Sequence, residues 1–440
     1  MARVPPLAPV ASSGADGIAR GGPGQEPARP RLTPAPRPAR IARSMGAPVA
    51  KPLRILYVVR TLGWHPDAGG DALYHYRLMK TLARRGHRVH LVAPARGPLA
   101  KPVPWLDGTT YVPEHERKSR LAFALYRAGR RRLAGTDVVH LHGGEGVVFA
   151  MRRRLGRRPA VVAGNYQPNI ERRSFLRESL WRRFQRWTMA GSDLVLATSA
   201  WHAREVAEGS GLPPARVRDV SAAVDGPFFR LRAAPPPAPG EPHRLLIVGH
   251  VGERKGHDAL LRALPLVAAK RAVTLTAVGG SAGGHGLEDM SRLAAETGAA
   301  PHVRFAGRLP YRALLRELER AHLFVLPSRA ESFGMALAEA MAAGLPVVAA
   351  RRKCLPEVVG DEGCGLLADP DDPKDLSGAI LKALESDAAR ADMGRRGRER
   401  ARRLYTWDAV AARVEAAYAD AMGAPRPGAA PLPAPATTAG

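Results

Sequence analysis

The chain has 440 residues and a formal net charge of +27, and Arg far outnumbers Lys. This length is enough for two ordinary domains with a large buried core. The excess of positive charge is typical of proteins that meet nucleic acid, an anionic membrane or an anionic substrate. No zinc-finger, helix-turn-helix or RNA-binding motif is present, which argues against specific nucleic-acid binding.

The sequence also lacks the patterns of membrane-spanning and secreted proteins. No apolar run approaches about 18 residues, and the first 20 residues lack the continuous apolar core of a secretory signal. The two cysteines, Cys354 and Cys364, have no metal-ligand spacing and are typical of a reducing compartment. We therefore expect a cytoplasmic protein, or one bound to the inner face of a membrane.

Residues 1–50 are rich in Pro, Ala, Gly and Arg without a hydrophobic period, which predicts a disordered tail. The first predicted elements are a strand at Arg54–Val59, a helix at Asp71–Arg85 and a strand at Val89–Ala93. This order is a βαβ unit of a parallel sheet. The pair Gly69-Gly70 before the helix favours either a tight turn or close approach of the backbone to a ligand.

Two basic segments follow, at 116–133 and 171–190. Each combines many Arg with a set of apolar residues, and the second has an aromatic stripe that includes Trp181 and Trp187. One interpretation is a helix that packs its stripe into the first domain. The other is an interfacial helix on anionic lipid.

A buried strand at Asp137–His142 ends in two histidines. The two rings are predicted to point to opposite faces of this strand, with His142 at its carboxyl end and His140 packed under the sheet. For either histidine taken alone, core packing is the commoner role.

The proline-rich run 233–242 predicts a linker between two domains. The second domain is expected to open with a strand at Leu245–Val248 and a loop that carries His250, Arg254 and Lys255, with a helix beginning at Lys255. A cation in a glycine-flanked loop after a parallel strand is suited to clamp a diphosphate.

The most informative stretch runs from Leu323 to Ala350. It predicts a strand at Leu323–Leu326, a loop with Glu331, a helix over 335–343 with Glu339 in its second turn, and a second strand at Val347–Ala350. Two carboxylates eight residues apart would be about 12 Å apart on one helix, which is too far for a shared metal. They suit the two ends of an extended ligand such as a sugar nucleotide, or are simply two surface acids.

The run ESFGMALAE followed by AMAAGLPVVA closely resembles the signature of the retaining glycosyltransferases of family 4, also called group 1. The resemblance covers about residues 53–422 and implies an α/β protein of the GT-B fold. In that fold two Rossmann-like domains with parallel sheets face each other across a cleft, and a C-terminal helix crosses back to the first domain. The implied ranges are 51–232 for the acceptor-side domain, 233–242 for the linker, 243–405 for the donor-binding domain, 406–422 for the crossover helix and 423–440 for a disordered tail.

The resemblance also implies roles for individual residues. Glu331 would contact the donor sugar, Glu339 would hold the ribose, and backbone groups at 332–335 would bind sugar and phosphate. Arg308-Leu309 would seat the base. His250 departs from the family, which has Arg there. The implied catalytic residues are His142, Glu331 and Lys255, and the implied donor-binding residues are Gly69, Gly70, His250, Arg254, Lys255, Arg308, Leu309, Glu331, Ser332, Phe333, Gly334, Met335 and Glu339.

These roles imply transfer of a hexose from a nucleotide diphosphate sugar to an acceptor hydroxyl, with retention of anomeric configuration and without a metal or other cofactor. Asp369, Asp371 and Asp372 resemble a metal-binding motif but fall in an ordinary loop of the family. The expected partners are the sugar donor, a sugar, lipid-linked or glycan acceptor, and an anionic membrane surface. The alternatives are a GT-B epimerase or phosphorylase, and a basic non-catalytic protein that retains the fold.

Overall fold

The computed structural model describes residues 51–59, 70–95, 103–113, 118–142, 159–164, 189–281 and 286–423. These residues all belong to the unit Arg43–Gly440. The predicted tails at 1–50 and 424–440 lie outside these ranges. So does most of the basic segment 171–190, together with Gly69.

The first sheet has seven strands, and each neighbouring pair is parallel. Its order is β3-β2-β1-β4-β5-β6-β7. Most of its strands are short apolar runs, buried on both faces as parallel strands between helices must be. Their bounds are β1 Arg54–Val58, β2 Arg88–Ala95, β3 Gly108–Pro113, β4 Val138–His142, β5 Ala160–Gly164, β6 Leu194–Ala197 and β7 Val217–Asp219.

The second sheet has six parallel strands in the order β10-β9-β8-β11-β12-β13. The strands β11 and β12 are buried at every position. The bounds are β8 His243–Val248, β9 Val273–Val278, β10 Val303–Gly307, β11 Leu323–Leu326, β12 Val347–Ala350 and β13 Leu366–Ala368.

Helices connect the strands, as parallel pairing requires. The first part of the chain carries α1 Gly70–Arg84, α2 Lys118–Arg130 and α3 Ala200–Ser210. The remaining helices are α4 His257–Ala268, α5 Gly286–Glu296, α6 Tyr311–Arg320, α7 Met335–Ala342, α8 Leu355–Val359, α9 Pro373–Ala383, α10 Asp387–Leu404 and α11 Trp407–Gly423. None of the helices in the described ranges is long and apolar enough to cross a membrane.

The strand order of both sheets reverses at one point, and that point locates the site. In the first sheet the reversal lies between β1 and β4, and in the second between β8 and β11. Ligands of open parallel sheets bind at the carboxyl ends of the strands beside such a switch point. His142 ends β4, and the loops with Lys255 and Glu331 follow β8 and β11.

The last helix, α11, packs on the first sheet although it follows the second in the chain. Arg85 donates two hydrogen bonds to Glu415, at 2.6 and 2.7 Å, and His87 lies 3.0 Å from the same carboxylate. Burial alone would raise the pKa of Glu415, but the bonds from Arg85 and His87 lower it to about 2. Arg413 also donates to the carbonyl oxygen of Val220, 3.0 Å away. The GT-B architecture with its crossover helix is therefore confirmed.

Two details differ from the sequence-based predictions. The strands β3 and β7 were not predicted, because β3 has polar residues and a terminal proline and β7 has three residues; both lie at the ends of their sheet. The prediction that a helix begins at Lys255 is wrong by two residues. Glu253–Lys255 is a 3-10 turn, and Gly256 interrupts it at φ 77° before α4 begins at His257.

The division into domains stays a prediction. The linker 233–242 lies between β7 and β8, the last strand of one sheet and the first of the other.

Candidate active site

The loop between β11 and α7 forms a corner that only glycine can complete. Gly334 has φ 91° and ψ 56°, a left-handed conformation that favours glycine. A Cβ on Gly334 would also lie 2.7 Å from the Leu355 side chain. Because Gly334 is the N-cap, α7 starts at the corner and directs its first backbone N–H groups there, with the positive end of its dipole.

A buried ion pair lies at this corner. The ammonium Nζ of Lys255 is 2.5 Å from Oε1 of Glu331, and the two side chains are 15% and 10% exposed. The pair joins the loop after β8 to the loop after β11. Removing one partner of such a pair leaves an uncompensated charge in a poorly solvated place.

Backbone contacts hold the loop after β8 against the loop after β11. A Cβ at Gly256 would overlap the carbonyl oxygen of Pro327, so the approach requires glycine. The carbonyl oxygen of Arg254 accepts hydrogen bonds from the Arg329 N–H and the Ser328 hydroxyl, both at 3.0 Å. Lys255 is therefore held against Glu331 by the chain on either side of it.

Glu339 lies in the second turn of α7 and is partly exposed. Its burial, and then the negative charge of Asp225, raise the pKa of Glu339 to about 8. The same neighbours act on Tyr311, because burial and then Asp225 and Glu339 raise the pKa of that phenol to about 12. The carboxyl of Glu339 thus lies in a place that disfavours a bare negative charge and favours donors of hydrogen bonds.

Asp225 connects Glu339 to the first half of the chain. The Arg77 guanidinium lies 2.5 Å from its Oδ1, and the indole Nε1 of Trp407 donates to the same oxygen over 2.9 Å. Burial raises the pKa of Asp225, and the contacts with Trp407 and Arg77 offset only part of that rise. Arg77, Asp225 and Tyr311 were not among the predicted site residues. One of them has a signal in the sequence, since Ala223-Val224-Asp225 resembles the Gly-Val-Asp pattern of the family, with Ala in place of Gly.

His142 is half-buried at the carboxyl end of β4. Its ring centroid is 3.8 Å from that of His75. His140 is fully buried, which confirms its prediction as a packed residue. The prediction that the two histidines point to opposite faces is wrong, since both rings lie near His75. Residues two apart in a strand share a face.

Most of the remaining predicted residues lie around the ends of the strands of the second sheet. His250, Arg254 and Arg308 have exposed side chains. Leu309 is partly buried beyond Gly307, which ends β10 with φ 65°. Three residues of the loop before α7 and its start differ in exposure. Phe333 is buried, with its ring centroid 5.2 Å from that of Tyr405, whereas Ser332 is partly buried and Met335 is 38% exposed. Gly70 is the first residue of α1.

A set of hydrogen bonds links the Gly334 corner to the residues that follow β6 of the first sheet. The hydroxyls of Thr198 and Ser199 donate to the carbonyl oxygen of Ser332, at 3.0 and 2.9 Å. The carboxylate of Glu357 accepts from the N–H groups of Ala200 and Trp201, at 2.8 and 3.0 Å. Glu357 thus caps the N-terminus of α3 from the other half of the chain. The helix dipole favours an acid at this end of the helix.

The three aspartates after β13 are engaged in structural contacts. Arg352 reaches Asp369 and Asp371, at 3.3 and 2.6 Å, and Arg329 lies 2.8 Å from Asp371. Asp372 is the N-cap of α9 and accepts from two backbone N–H groups of its first turn. No group of three or more ligand-type side chains suited to a metal occurs within the described ranges.

Comparison with known proteins agrees with this geometry. Residues 231–400 match the family model "Glycosyl transferases group 1", and residues 68–225 match "Glycosyltransferase Family 4". A D-inositol 3-phosphate glycosyltransferase of Thermomonospora curvata is 30% identical over 402 residues, which are 81% of this chain and 91% of that protein.

Solved structures share the fold at lower identity. A glycosyltransferase from Rickettsia africae is 15% identical with a TM-score of 0.66, over 84% of this chain and 99% of that one. Anabaena Alr3699/HepE, solved in complex with UDP, is 17% identical with a TM-score of 0.66, over 82% of this chain and 98% of that one. By fold and by sequence, the chain belongs to the group 1 (family 4) retaining glycosyltransferases, enzymes of the GT-B fold that transfer a sugar from a nucleotide sugar.

Proposed function

We propose that this protein transfers a hexose from a uridine diphosphate sugar to an acceptor hydroxyl, with retention of anomeric configuration and without a metal. The observation that carries the proposal is the buried Lys255–Glu331 pair at the Gly334 corner. It sets a cation and a hydroxyl acceptor beside the free backbone N–H groups of a helix start. UDP is the first donor nucleotide to test, because HepE was solved with it.

The donor lies along this corner in the proposal. Its diphosphate meets the N-terminus of α7 and Lys255, and its sugar hydroxyls donate to Glu331. Glu339 accepts from the ribose hydroxyls, and the base meets the backbone at Arg308-Leu309. His250 and Arg254 lie in the loop beside the diphosphate, and Gly70, the first residue of α1, faces it from the side of the first sheet.

The chemistry follows from the placement of these charges. The bond between the anomeric carbon and the phosphate oxygen breaks, and its electron pair stays on the diphosphate. Lys255 and the start of α7 stabilise that developing charge. The acceptor oxygen bonds to the anomeric carbon on the same face and passes its proton to the leaving phosphate. His142 lies on the opposite sheet and contacts the sugar hydroxyls.

The absence of a metal requirement is also a proposal, supported by the contacts of the aspartates. Asp369 and Asp371 are bound by arginines and Asp372 caps a helix. Their oxygens already have partners.

Two acceptor classes merit direct comparison. The Thermomonospora relative is named for D-inositol 3-phosphate, which makes a phosphorylated polyol the first soluble acceptor to test. The alternative is a lipid-linked acceptor at an anionic membrane. The helix α2 supports that alternative, since it buries Leu121 and Leu125 but leaves Phe123 59% exposed, beside exposed arginines such as Arg127.

The test has three arms. Thermal shift with nucleoside diphosphates and their sugars identifies the donor, and UDP is expected to give the largest shift. Donor incubated alone then separates transfer from epimerisation, since an epimerase converts the donor without acceptor. Transfer to D-inositol 3-phosphate is compared with transfer to lipid extracts. No thermal shift with any nucleotide sugar would refute the proposed function.

A further inference from the structure

A buried series of ring contacts leads from His142 to the crossover helix. The ring of His75, on α1, is 3.8 Å from that of His142 by centroids, with an angle of 52° between the planes. Nδ1 of His75 lies 2.7 Å from the Tyr57 hydroxyl. Tyr57 stacks on His140 at 4.3 Å and 13°, and Nδ1 of His140 lies 2.6 Å from the Tyr418 hydroxyl. Polar side chains in an otherwise apolar layer are thus joined from β1 to α11.

The sheet places three of these side chains side by side. Tyr57 and His140 are partners in the register of β1 and β4. His142 is two residues further along β4 and shares their face. The ring of His75, on α1, packs against this row of side chains. Tyr57, His75 and His140 are each fully buried, so the row has little room to move.

Burial of these polar groups disfavours the fold unless hydrogen bonds compensate. An aliphatic side chain at position 75 would fill this space and would need no hydrogen-bond partner. At the α11 end of the row, burial and then Tyr74 and Glu415 raise the pKa of the Tyr418 phenol. Burial, then the nearby His75 and His142, lower the pKa of His140 well below its ordinary value, so the bond to Tyr418 is between neutral groups.

We propose that His75 is a positioning residue that sets the orientation of the His142 ring, and that Tyr57 holds His75 in place. The inference rests on the proposed role of His142 at the donor sugar. His142 is the half-buried end of its strand, so its ring needs a support on its inner side. His75 supplies that support from α1, the helix whose first residue is Gly70.

The test uses release of UDP from UDP-glucose by slow hydrolysis, which needs no acceptor. His75→Ala is expected to lower kcat about tenfold while the KM for UDP-glucose and the Kd for UDP stay within twofold. Small misplacements at a reacting centre act in this way. His75→Phe, which keeps a ring of similar size, is expected to recover part of the loss. Tyr57→Phe is expected to lower kcat about threefold and is the milder change if His75→Ala folds poorly.

The matched control is Tyr76→Phe. Tyr76 is on the same helix, but its ring contacts Trp105 at 5.3 Å. Its substitution is expected to leave kcat within twofold. A fall in kcat equal to that of Tyr57→Phe would overturn the inference, since loss of any hydroxyl near α1 would then suffice.

A double-mutant cycle decides whether His75 acts through His142. In the His142→Ala background, His75→Ala is expected to change kcat by less than twofold. The full tenfold loss in that background would overturn the inference. If His142→Ala itself leaves kcat unchanged, the proposed role of His142 fails. In that case the imidazole NMR signals of His142 test whether His75 orients its ring. A change in their chemical shifts in His75→Ala supports the contact, and unchanged chemical shifts refute it.

Discussion

Replacing Glu339 by Gln should have opposite effects on stability and on nucleotide binding. Burial and Asp225 raise the pKa of Glu339 from 4.5 to about 8, so the folded protein binds a proton more tightly than the unfolded chain. Between these two values the unfolded state ionises and the folded state does not. Stability is therefore lost as the pH rises through this window, and the glutamine variant, which cannot ionise, does not lose it.

The size of the effect follows from the pKa. Each tenfold change in proton affinity is worth about 1.4 kcal/mol, so an undiscounted estimate at pH 7 is about 3 kcal/mol. Glu339 is partly exposed, and solvent reduces this to roughly 2 kcal/mol. In a domain of this size we expect Glu339→Gln to raise the Tm by about 4 to 8 °C at pH 7 and by little at pH 5.

Binding should change in the other direction. Above pH 8, where Glu339 is ionised, the proposed ribose hydroxyls lose in the variant a charged acceptor worth about 1.5–3 kcal/mol, which weakens the affinity for UDP roughly 10- to 100-fold. Parent affinity should also rise from pH 6 to pH 8.5 as Glu339 ionises, whereas that of the variant stays flat. The assays are thermal denaturation at pH 5 and 7 and calorimetry with UDP at pH 6 and 8.5.

Glu385→Gln is the matched control, since Glu385 is exposed on the same half of the protein. It should change neither Tm nor UDP affinity. An unchanged or lowered Tm for Glu339→Gln at pH 7, together with parental UDP affinity, would refute the reasoning about Glu339.

Further predictions concern the ion pair, the link between the halves, the metal and the membrane. Lys255→Ala should lower kcat/KM for the donor more than tenfold. If kcat/KM stays within threefold of the parent value, the diphosphate is bound by another cation, such as Arg254. Glu357→Gln should lower the Tm by about 2 °C, because two N–H groups of α3 lose a charged acceptor; an equal Tm contradicts that role. Chelator should leave activity intact, and strict dependence on Mg²⁺ or Mn²⁺ would contradict the metal-free proposal. If the acceptor is lipid-linked, the protein should sediment with anionic but not neutral vesicles and be released by high salt; no sedimentation at low salt favours a soluble acceptor.

Local sequence determined much of the fold. The strands at 323–326 and 347–350 were predicted to the residue, because buried parallel strands are short apolar runs between turn residues. Glu331 and Gly334 were recognisable from one continuous run. The corner they form depends on a single glycine conformation at a helix start, and neighbouring residues encode that directly.

Tertiary structure decided what surrounds these residues. Glu339 and Asp225 are more than a hundred positions apart, and no local pattern indicates that one raises the pKa of the other. The cap of α3 by Glu357 and the contact of His75 with His142 are likewise long-range. Electrostatic fields and ring packing depend on distances in space, and two sheets and a returning helix set those distances. The sequence therefore predicted a set of site residues, and the fold set the neighbours of each of them.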